Sequence, residues 1–410
     1  MAHVGIIGAG IIGTAIALEL IGGGHEVTVI DADPDGLPTS AGNAALIARP
    51  EIAPIASPGI LKSVPKWLLD PLGPLAVRWQ DVPALTPWLL AFLAASAPAR
   101  EAAGRQALAY LMQSALEDHQ ALRDRLAAPD HLGQLGYMSL HDTTAALAAG
   151  LAEQKKVKAA LGYDFEVLDP AAARRLVPQL EGAFAGAIHQ PGYWSVGNPL
   201  IMLRDYQAIV RARGTLKAGK AIALEPGAAG IAIRLEGGET LVADKAVVAA
   251  GVWSRDLVRA LGLKVLLETE RGYNTTFREL GWTLPMPIGF ADHGFIASPL
   301  IDGLRVGGAV ELARPETSPN FRRAAAMRQR ARRYIPALPE GGTEWMGRRP
   351  SVPDSVPVIS LHPREPRIAF AFGHGHLGLT LSAVTARHVA RLLAEGPADD
   401  LRPFGIQRFQ

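Results

Sequence analysis

The sequence predicts an α/β fold, with a β-α-β unit at the start of the chain and a second, mixed α/β region whose sheet is largely antiparallel. Three observations carry this reading. Residues 4–7 are a short apolar run, followed by glycines, a helical pattern through Leu20 and a second apolar run over 27–30 that ends at Asp31. That is the order strand, turn, helix, strand. Between 219 and 250, and again from 271 to 312, the pattern shortens to β runs separated by turn residues. The chain closes with an apolar strand at 367–372, a glycine-histidine segment and a helix over 379–393.

The remaining elements follow from the same patterns. Residues 59–78 are rich in Pro and Trp without periodicity, which reads as irregular structure laid over something rather than as a flexible linker. Leu108, Leu111, Met112, Ala115, Leu116, His119, Leu122 and Leu126 recur at helical spacing, so 105–126 is an amphipathic helix with a core-facing stripe. A second helix is expected over 145–161, stopped by Gly162. The β runs are 221–224, 231–235 and 245–250, and Glu236-Gly237-Gly238-Glu239 joins two of them as a hairpin. Strands are expected at 271–277 and 294–300, with Asp302-Gly303 as a two-residue turn into 304–312.

Composition limits the function. A chain of 410 residues, 49% of them apolar, buries a sizeable core, and at roughly 100–200 residues per domain it holds two closely joined domains. With 41 Lys and Arg against 39 Asp and Glu the net charge is +2, and the basic clusters are pairs such as Arg348-Arg349, so no nucleic-acid partner is expected. The absence of cysteine excludes disulfides, thiolate zinc sites, cysteine nucleophiles and Cys-ligated iron-sulfur clusters within this chain. Redox chemistry would have to come from a bound cofactor. The apolar opening of the chain lacks a basic n-region and carries seven glycines, which marks a folded segment rather than a signal peptide. Residues 87–97 are too short to cross a bilayer core of roughly 30 Å. The expectation is a cytoplasmic protein without an integral membrane segment, peripheral contact with the inner face of the membrane being left open.

Four motifs carry chemistry. Gly8-Ala9-Gly10-Ile11-Ile12-Gly13 follows a strand and opens a helix; its glycines suit a tight turn, close approach to a pyrophosphate and helix-strand packing. Asp31 at the end of the next strand is placed to accept from a ribose hydroxyl, and its charge opposes a 2′-phosphate. An ADP-containing cofactor other than NADP is expected, with NAD and FAD both open at this point. Gly373-His374-Gly375-His376-Leu377-Gly378 fits the same spacing, but only 32 residues follow it. It reads better as a helix start aimed at a group that becomes negative during turnover, such as the pyrimidine ring of a reduced flavin. Thr39-Ser40-Ala41-Gly42-Asn43-Ala44-Ala45 concentrates small and amide residues where backbone meets a flat ring, or forms an ordinary capped turn. In Gly347-Arg348-Arg349-Pro350 an arginine fork offers bidentate binding to a carboxylate, against a structural ion pair. His374 and His376 read as polar pocket walls ahead of catalytic bases. The eleven histidines lack metal-ligand spacing, so no metal is expected.

Together GIIGAGIIGTAIALEL, TSAGNAALIA, RGYNTTF, WMGRRPSVPDSVPVIS and FGHGHLGLTLSAVTARHVA resemble the D-amino acid oxidase family of flavoenzymes, nearer to bacterial D-amino acid dehydrogenases than to the oxidases. The resemblance implies a glutathione-reductase-like FAD-binding Rossmann domain assembled from 1–60, 196–264 and 341–410. It implies a substrate-binding domain from 61–195 and 265–340 whose sheet roofs the flavin. FAD would then be the cofactor, with Gly8, Gly10, Gly13 and Asp31 on its ADP half and Thr39, Ser40, Asn43 and Ala44 along the isoalloxazine. Ala221 would meet the adenine, Gly251 would lie near the pyrophosphate, and Gly375, Leu377, Gly378 and Thr380 would face the pyrimidine side. Arg349 would take the substrate carboxylate and Tyr273 would border the substrate, with His376 the third candidate catalytic residue. The chain departs from the usual dehydrogenase pattern in Ser40-Ala41-Gly42-Asn43, which replaces a Ser-Tyr-Ala-Asn type, and in Ala45, which replaces a glycine.

The reaction so implied is oxidative deamination of a D-amino acid, with the α-hydrogen passing as hydride to flavin N5. D-proline and D-hydroxyproline are candidate substrates, and a quinone or carrier protein is the expected electron acceptor in place of NAD. A glycine or sarcosine oxidase-like amine oxidase, a flavin-binding subunit of a larger dehydrogenase and an NAD-dependent dehydrogenase are the alternatives. A homo-oligomer and a hetero-complex both remain open.

Overall fold

The computed structural model describes residues 1–59 and 75–410. Most of the Pro- and Trp-rich segment expected over 59–78 lies outside the described residues; its end forms the short strand Leu75–Val77.

The opening unit forms as the pattern dictates: β1 (His3–Ile7), α1 (Ile11–Gly22) and β2 (Glu26–Asp31), with β1 and β2 paired in parallel from His3 opposite Glu26 to Ile7 opposite Ile30. α1 is apolar on every side, and a helix without a polar face has to be enclosed. It lies against the helices Pro199–Arg213 and Ser382–Glu395 and beneath the sheet, with Ile16, Ala17 and Leu18 wholly buried. The sheet runs Thr215–Ala218, β2, β1, Lys245–Val248, Glu365–Phe372, Val358–His362. Only the last pairing is antiparallel. Ala221–Gly227, Gly230–Leu235 and Thr240–Ala243 form an antiparallel meander that closes a second core on the other face, around Ile231, Val248 and Phe370.

The second sheet is larger. Its strands run Thr343–Ser351, Glu268–Phe277, Gly303–Leu312, Phe295–Leu300, Ile288–Phe290, Tyr137–His141, Gly186–Gln190, Glu166–Leu168, and Leu75–Val77 pairs with Gly303–Leu312 off this path. Most pairings are antiparallel, as expected. The helix Arg322–Ala331 covers it through Ala324, Met327 and Ala331.

Helix boundaries follow their local signals. Thr144–Leu161 starts where the Thr143 hydroxyl accepts from Ala146 N (3.1 Å) and stops at Gly162, φ 73°. The helix read over 105–126 is Pro98–Leu126, because a proline at the first position and the alanines after it extend the helix beyond its apolar stripe. Three expectations need correction. Glu236-Gly237-Gly238-Glu239 leads from Gly230–Leu235 into Thr240–Ala243, a strand the pattern reading omits. The C-terminal helix begins at Ser382, after the 3-10 turn Gly375–Leu377. Thr343–Ser351 pairs along Glu268–Phe277, from Thr343 opposite Thr276 to Ser351 opposite Glu268, so the strand belongs to the large sheet and not to a nucleotide-binding segment starting at 341. Among the described residues, no single helix is long and apolar enough to cross a membrane.

A cavity of about 1480 Å³ lies where the carboxyl ends of β1, β2, Lys245–Val248 and Glu365–Phe372 face the large sheet. In a parallel sheet this is where the loops open to a ligand.

The opening turn yields a direct test. A Cβ on Gly13 would stand 1.9 Å from the Gly8 carbonyl oxygen, a backbone atom that cannot turn aside. Gly13→Ala should cost about 1–3 kcal/mol, read as a lower midpoint in denaturant unfolding. An unchanged midpoint would show that α1 is free to slide away from the turn.

Candidate active site

The three glycines of the opening turn differ in what surrounds them. Gly8 takes φ +110° and a Cβ there would meet the Ala249 oxygen at 2.4 Å, whereas a Cβ on Gly10 would have nothing within 4 Å. Gly8, Ala9, Gly10, Ile11 and Ile12 line the cavity, while Gly13 does not line it and packs the helix against the turn. No side chain caps the start of α1, so its first N–H groups and the positive end of its dipole open on that space. Asp31 is fixed in place, Oδ2 accepting from Ala9 N (2.6 Å) and Oδ1 from Asp33 N (2.9 Å). Each oxygen keeps lone-pair capacity, and the residue lines the cavity beside Ala221; Gly251, φ +57°, lines it as well.

Thr39–Gly42 forms a 3-10 turn held from the second sheet. Arg305 Nη1 donates to Ala41 O (3.0 Å) and Asn43 O (2.6 Å), Asn274 Nδ2 to Gly42 O (3.0 Å), and Thr39 Oγ1 to Arg348 O (3.1 Å). Asn43 Oδ1 accepts from Ala45 N (3.0 Å), and Ala45 adopts φ 60°. That is the left-handed region in which a glycine carries no Cβ penalty, so the departure from glycine at this position is a strained one. Thr39, Ser40, Asn43 and Ala44 line the cavity, and the Ser40 hydroxyl is buried with no partner among the described residues. A diphosphate-bearing cofactor with a flat ring fits these features: an open helix start, a fixed acid, and an orphan hydroxyl on a small-residue loop.

Arg349 comes from Thr343–Ser351. Its guanidinium lies across Gly272, where a Cβ would stand 2.2 Å from Nη2. Nη1 donates to Ala309 O (3.2 Å), and among the described residues the other N–H groups have no partner. The side chain lines the cavity, and burial lowers its pKa, offset by the charge of Glu270 opposite it on the neighbouring strand. Arg348 donates to Pro315 O (2.9 Å).

Gly375, His376, Leu377, Gly378 and Thr380 line the same cavity. Thr380 Oγ1 accepts from Ala48 N (2.9 Å) and donates to Leu46 O (3.3 Å), tying the C-terminal loop to the strand after the small-residue turn. His376 shows its surface to the cavity, and burial together with the Arg349 charge pushes its pKa down to about 4. His374 is buried with Nε2 3.0 Å from Thr385 Oγ1, and burial pushes its pKa to about 3. Both rings are neutral near pH 7. Tyr273 is among the residues lining the cavity, but its ring packs in the core of the large sheet against Phe321 (6.0 Å), and its hydroxyl donates to Glu311 and accepts from Asn320 N (3.0 Å).

The cavity thus gathers every residue expected to touch cofactor or substrate except Gly13, while Ala41, Ala45 and Gly373 of the same motifs do not line it. Sequence reasoning missed Arg305, Asn274, Gly272, Glu270 and Glu51, all of which line it. Gly272, between an arginine and a tyrosine inside a strand, was the one available signal, since an interior strand glycine often marks close approach by another group.

Comparison with known proteins agrees with this construction. The sequence signature of the DAO family, described as FAD dependent oxidoreductase, matches residues 3–392. The chain is 35% identical to a D-amino-acid oxidase of Bradyrhizobium diazoefficiens, over 99% of each chain. It is 32% identical to a D-amino acid dehydrogenase of Paramagnetospirillum magneticum, over 98% of each. The fold superposes on glycine oxidase from Geobacillus kaustophilus with a TM-score of 0.75 at 22% identity, covering 100% of this chain and 99% of that one. On L-proline dehydrogenase from P. horikoshii the TM-score is 0.73 at 17% identity, covering 100% and 97%. An open glycine turn and a clamped small-residue loop, set in a chain that matches this signature over nearly its whole length, make the protein an FAD-dependent oxidoreductase of the DAO family.

Proposed function

We propose that this enzyme oxidises a D-amino acid at its α-carbon and passes the electrons to an acceptor other than NAD. The observation that carries the proposal is the Arg349 fork, laid over Gly272 with unpartnered N–H groups inside the cavity that the glycine turn also lines. A planar fork of that kind matches a carboxylate. FAD, when bound, would supply the two-electron acceptor for the α-hydrogen. Gly8, Gly10 and Asp31 would hold its ADP half, with Ala221 and Gly251 alongside. Thr39, Ser40, Asn43 and Ala44 would line one edge of the ring, and Gly375, Leu377, Gly378 and Thr380 the pyrimidine side.

In this reading Arg349 fixes the substrate carboxylate, and holding the α-carbon in one place supplies much of the rate. His376 is neutral, so it adds no charge against the fork and can accept from a substrate N–H. Tyr273 serves as wall, because its hydroxyl is committed to Glu311 and Asn320. No general base is needed when the substrate amine arrives neutral. The D-hand is supported by relatives that carry it in their names, a D-amino-acid oxidase and a D-amino acid dehydrogenase. The names of these relatives divide between an oxidase and a dehydrogenase, and a quinone or carrier protein is the acceptor in this reading.

Anaerobic mixing with D-proline, D-hydroxyproline, D-alanine, glycine, sarcosine and the L-enantiomers tests the proposal. The flavin band should bleach with D-enantiomers, and the reduced protein should reoxidise faster with a soluble quinone than with air. A yellow protein that no amino acid bleaches would overturn it in favour of a flavin-binding subunit. Arg349→Met should lower kcat/KM on the order of a hundredfold, since hydrogen bonds to charged groups are worth about 1.5–3 kcal/mol, with flavin still bound. Gly272→Ala should act in the same direction by displacing the guanidinium. Full activity in either variant would remove Arg349 from its role. Because the His376 pKa is about 4, the ring is already neutral across the working range. kcat/KM should therefore rise with pH toward the substrate ammonium pKa without an inflection from this ring. A limb near neutrality that disappears in His376→Asn would contradict that.

A further inference from the structure

Glu51 stands just past the strand Leu46–Ile47 that continues the small-residue turn. Its N–H donates to Ala48 O (3.0 Å), and Ala48 N is held by Thr380 Oγ1 (2.9 Å). The backbone of Glu51 is therefore fixed relative to the loop that would carry the flavin ring, and the Tyr193 hydroxyl donates to its carboxylate. The side chain has accessible area and yet is enclosed: the surface it shows is cavity wall.

No cation answers it among the described residues. Arg49, two positions earlier, is committed to Met112 O (3.0 Å), Gln113 O (2.7 Å) and Glu117 (3.2 Å). The neighbouring carboxylate, Glu153, is neutralised by ion pairs to Arg105 and to Lys156 (3.2 Å). The titratable groups that face Glu51 are Glu153, Tyr137 and Tyr193, the two phenols being stacked at 4.9 Å. An enclosed acid set among phenols and another acid is complementary to a positive charge arriving with the ligand. The charge that acts on Arg349 is Glu270, and the charge that acts on Glu51 is the like charge of Glu153, so the cavity wall carries a cationic group and an acidic group in different surroundings.

We infer that the substrate is an amino acid whose side chain ends in a cation, its carboxylate on Arg349 and its terminal ammonium or guanidinium on Glu51. This rests on the amino acid reading given above. A site built to meet a charge rejects the analogue lacking it, because the carboxylate is then left unanswered in an enclosed space.

D-lysine and D-norleucine differ only in the terminal ammonium and isolate the point. In the native holoenzyme kcat/KM should favour D-lysine by more than tenfold. The preference should grow with pH, because burial and Glu153 raise the Glu51 pKa and the carboxylate must be ionised to hold the cation. Glu51→Gln should cut the ratio of the two kcat/KM values at least tenfold and abolish its pH dependence, while Glu51→Asp should retain part of the preference. A native enzyme that reduces its flavin with D-norleucine but shows no preference for D-lysine overturns this inference and leaves the proposed reaction standing. So does a ratio that Glu51→Gln does not move, the result expected if Glu51 served the α-amine common to both substrates. Failure of every D-amino acid to bleach the flavin overturns the proposed reaction itself.

Discussion

The cavity exists because one buried guanidinium on the large sheet holds the loop that ends the first β-α-β unit. Arg305 is 8% exposed and donates to Ala41 O, Asn43 O and Thr276 Oγ1. Among the described residues no carboxylate stands within ion-pair distance of it, and burial lowers its pKa to about 10, which leaves it charged. Hydrogen bonds to a charged group are worth about 1.5–3 kcal/mol each, so this contact fixes the turn more firmly than neutral bonds would. Within the described residues the Arg305 charge is met by carbonyl oxygens and, at longer range, by Asp302.

Arg349 shows the same side chain put to the opposite use. Arg305 is closed off by backbone acceptors, whereas Arg349 gives one bond to Ala309 and keeps the rest of its fork facing the cavity. The difference comes from what lies beneath. Gly272 lets the guanidinium lie flat on the strand, and Gly42 and Gly347 do the same for the Trp345 ring, which a Cβ at those positions would meet at 2.1 and 2.0 Å. Glycine at position 42 is thus matched to a tryptophan more than three hundred positions away in sequence.

What was legible in the sequence and what was not divides along this distance. The turn Gly8 to Gly13, Asp31, the helix stopped by Gly162 and the turn at Asp302-Gly303 are set by neighbours within a few residues, and periodicity with turn chemistry finds them. Thr240–Ala243 escaped because four residues between a glycine pair and an aspartate carry too little alternation to register. Thr343–Ser351 reads as part of the cofactor-binding region because the Arg349 motif lies in it, yet its hydrogen bonds go to Glu268–Phe277. Arg305 and Glu51 were invisible for a different reason. A lone charged residue looks solvent-exposed in any local window, and only the fold brings Arg305 to Ala41 and closes the cavity over Glu51.

Enclosure decides the chemistry more than the identity of the groups. Glu270, Arg349, His376 and Glu51 all line one space, and burial shifts each of them toward its neutral form. In water such groups would be screened and their pairwise preferences slight, but in a low-dielectric enclosure an unanswered charge is costly and an answered one is strongly held. His376 resolves that cost by staying neutral, and Glu270 and Arg349, opposite each other on adjacent strands, reduce it through their mutual attraction. Glu51 takes a hydrogen bond from the Tyr193 hydroxyl but has no cation beside it, so within the described residues a compensating charge has to arrive from outside the chain. A site of this kind is selective by the charge it lacks.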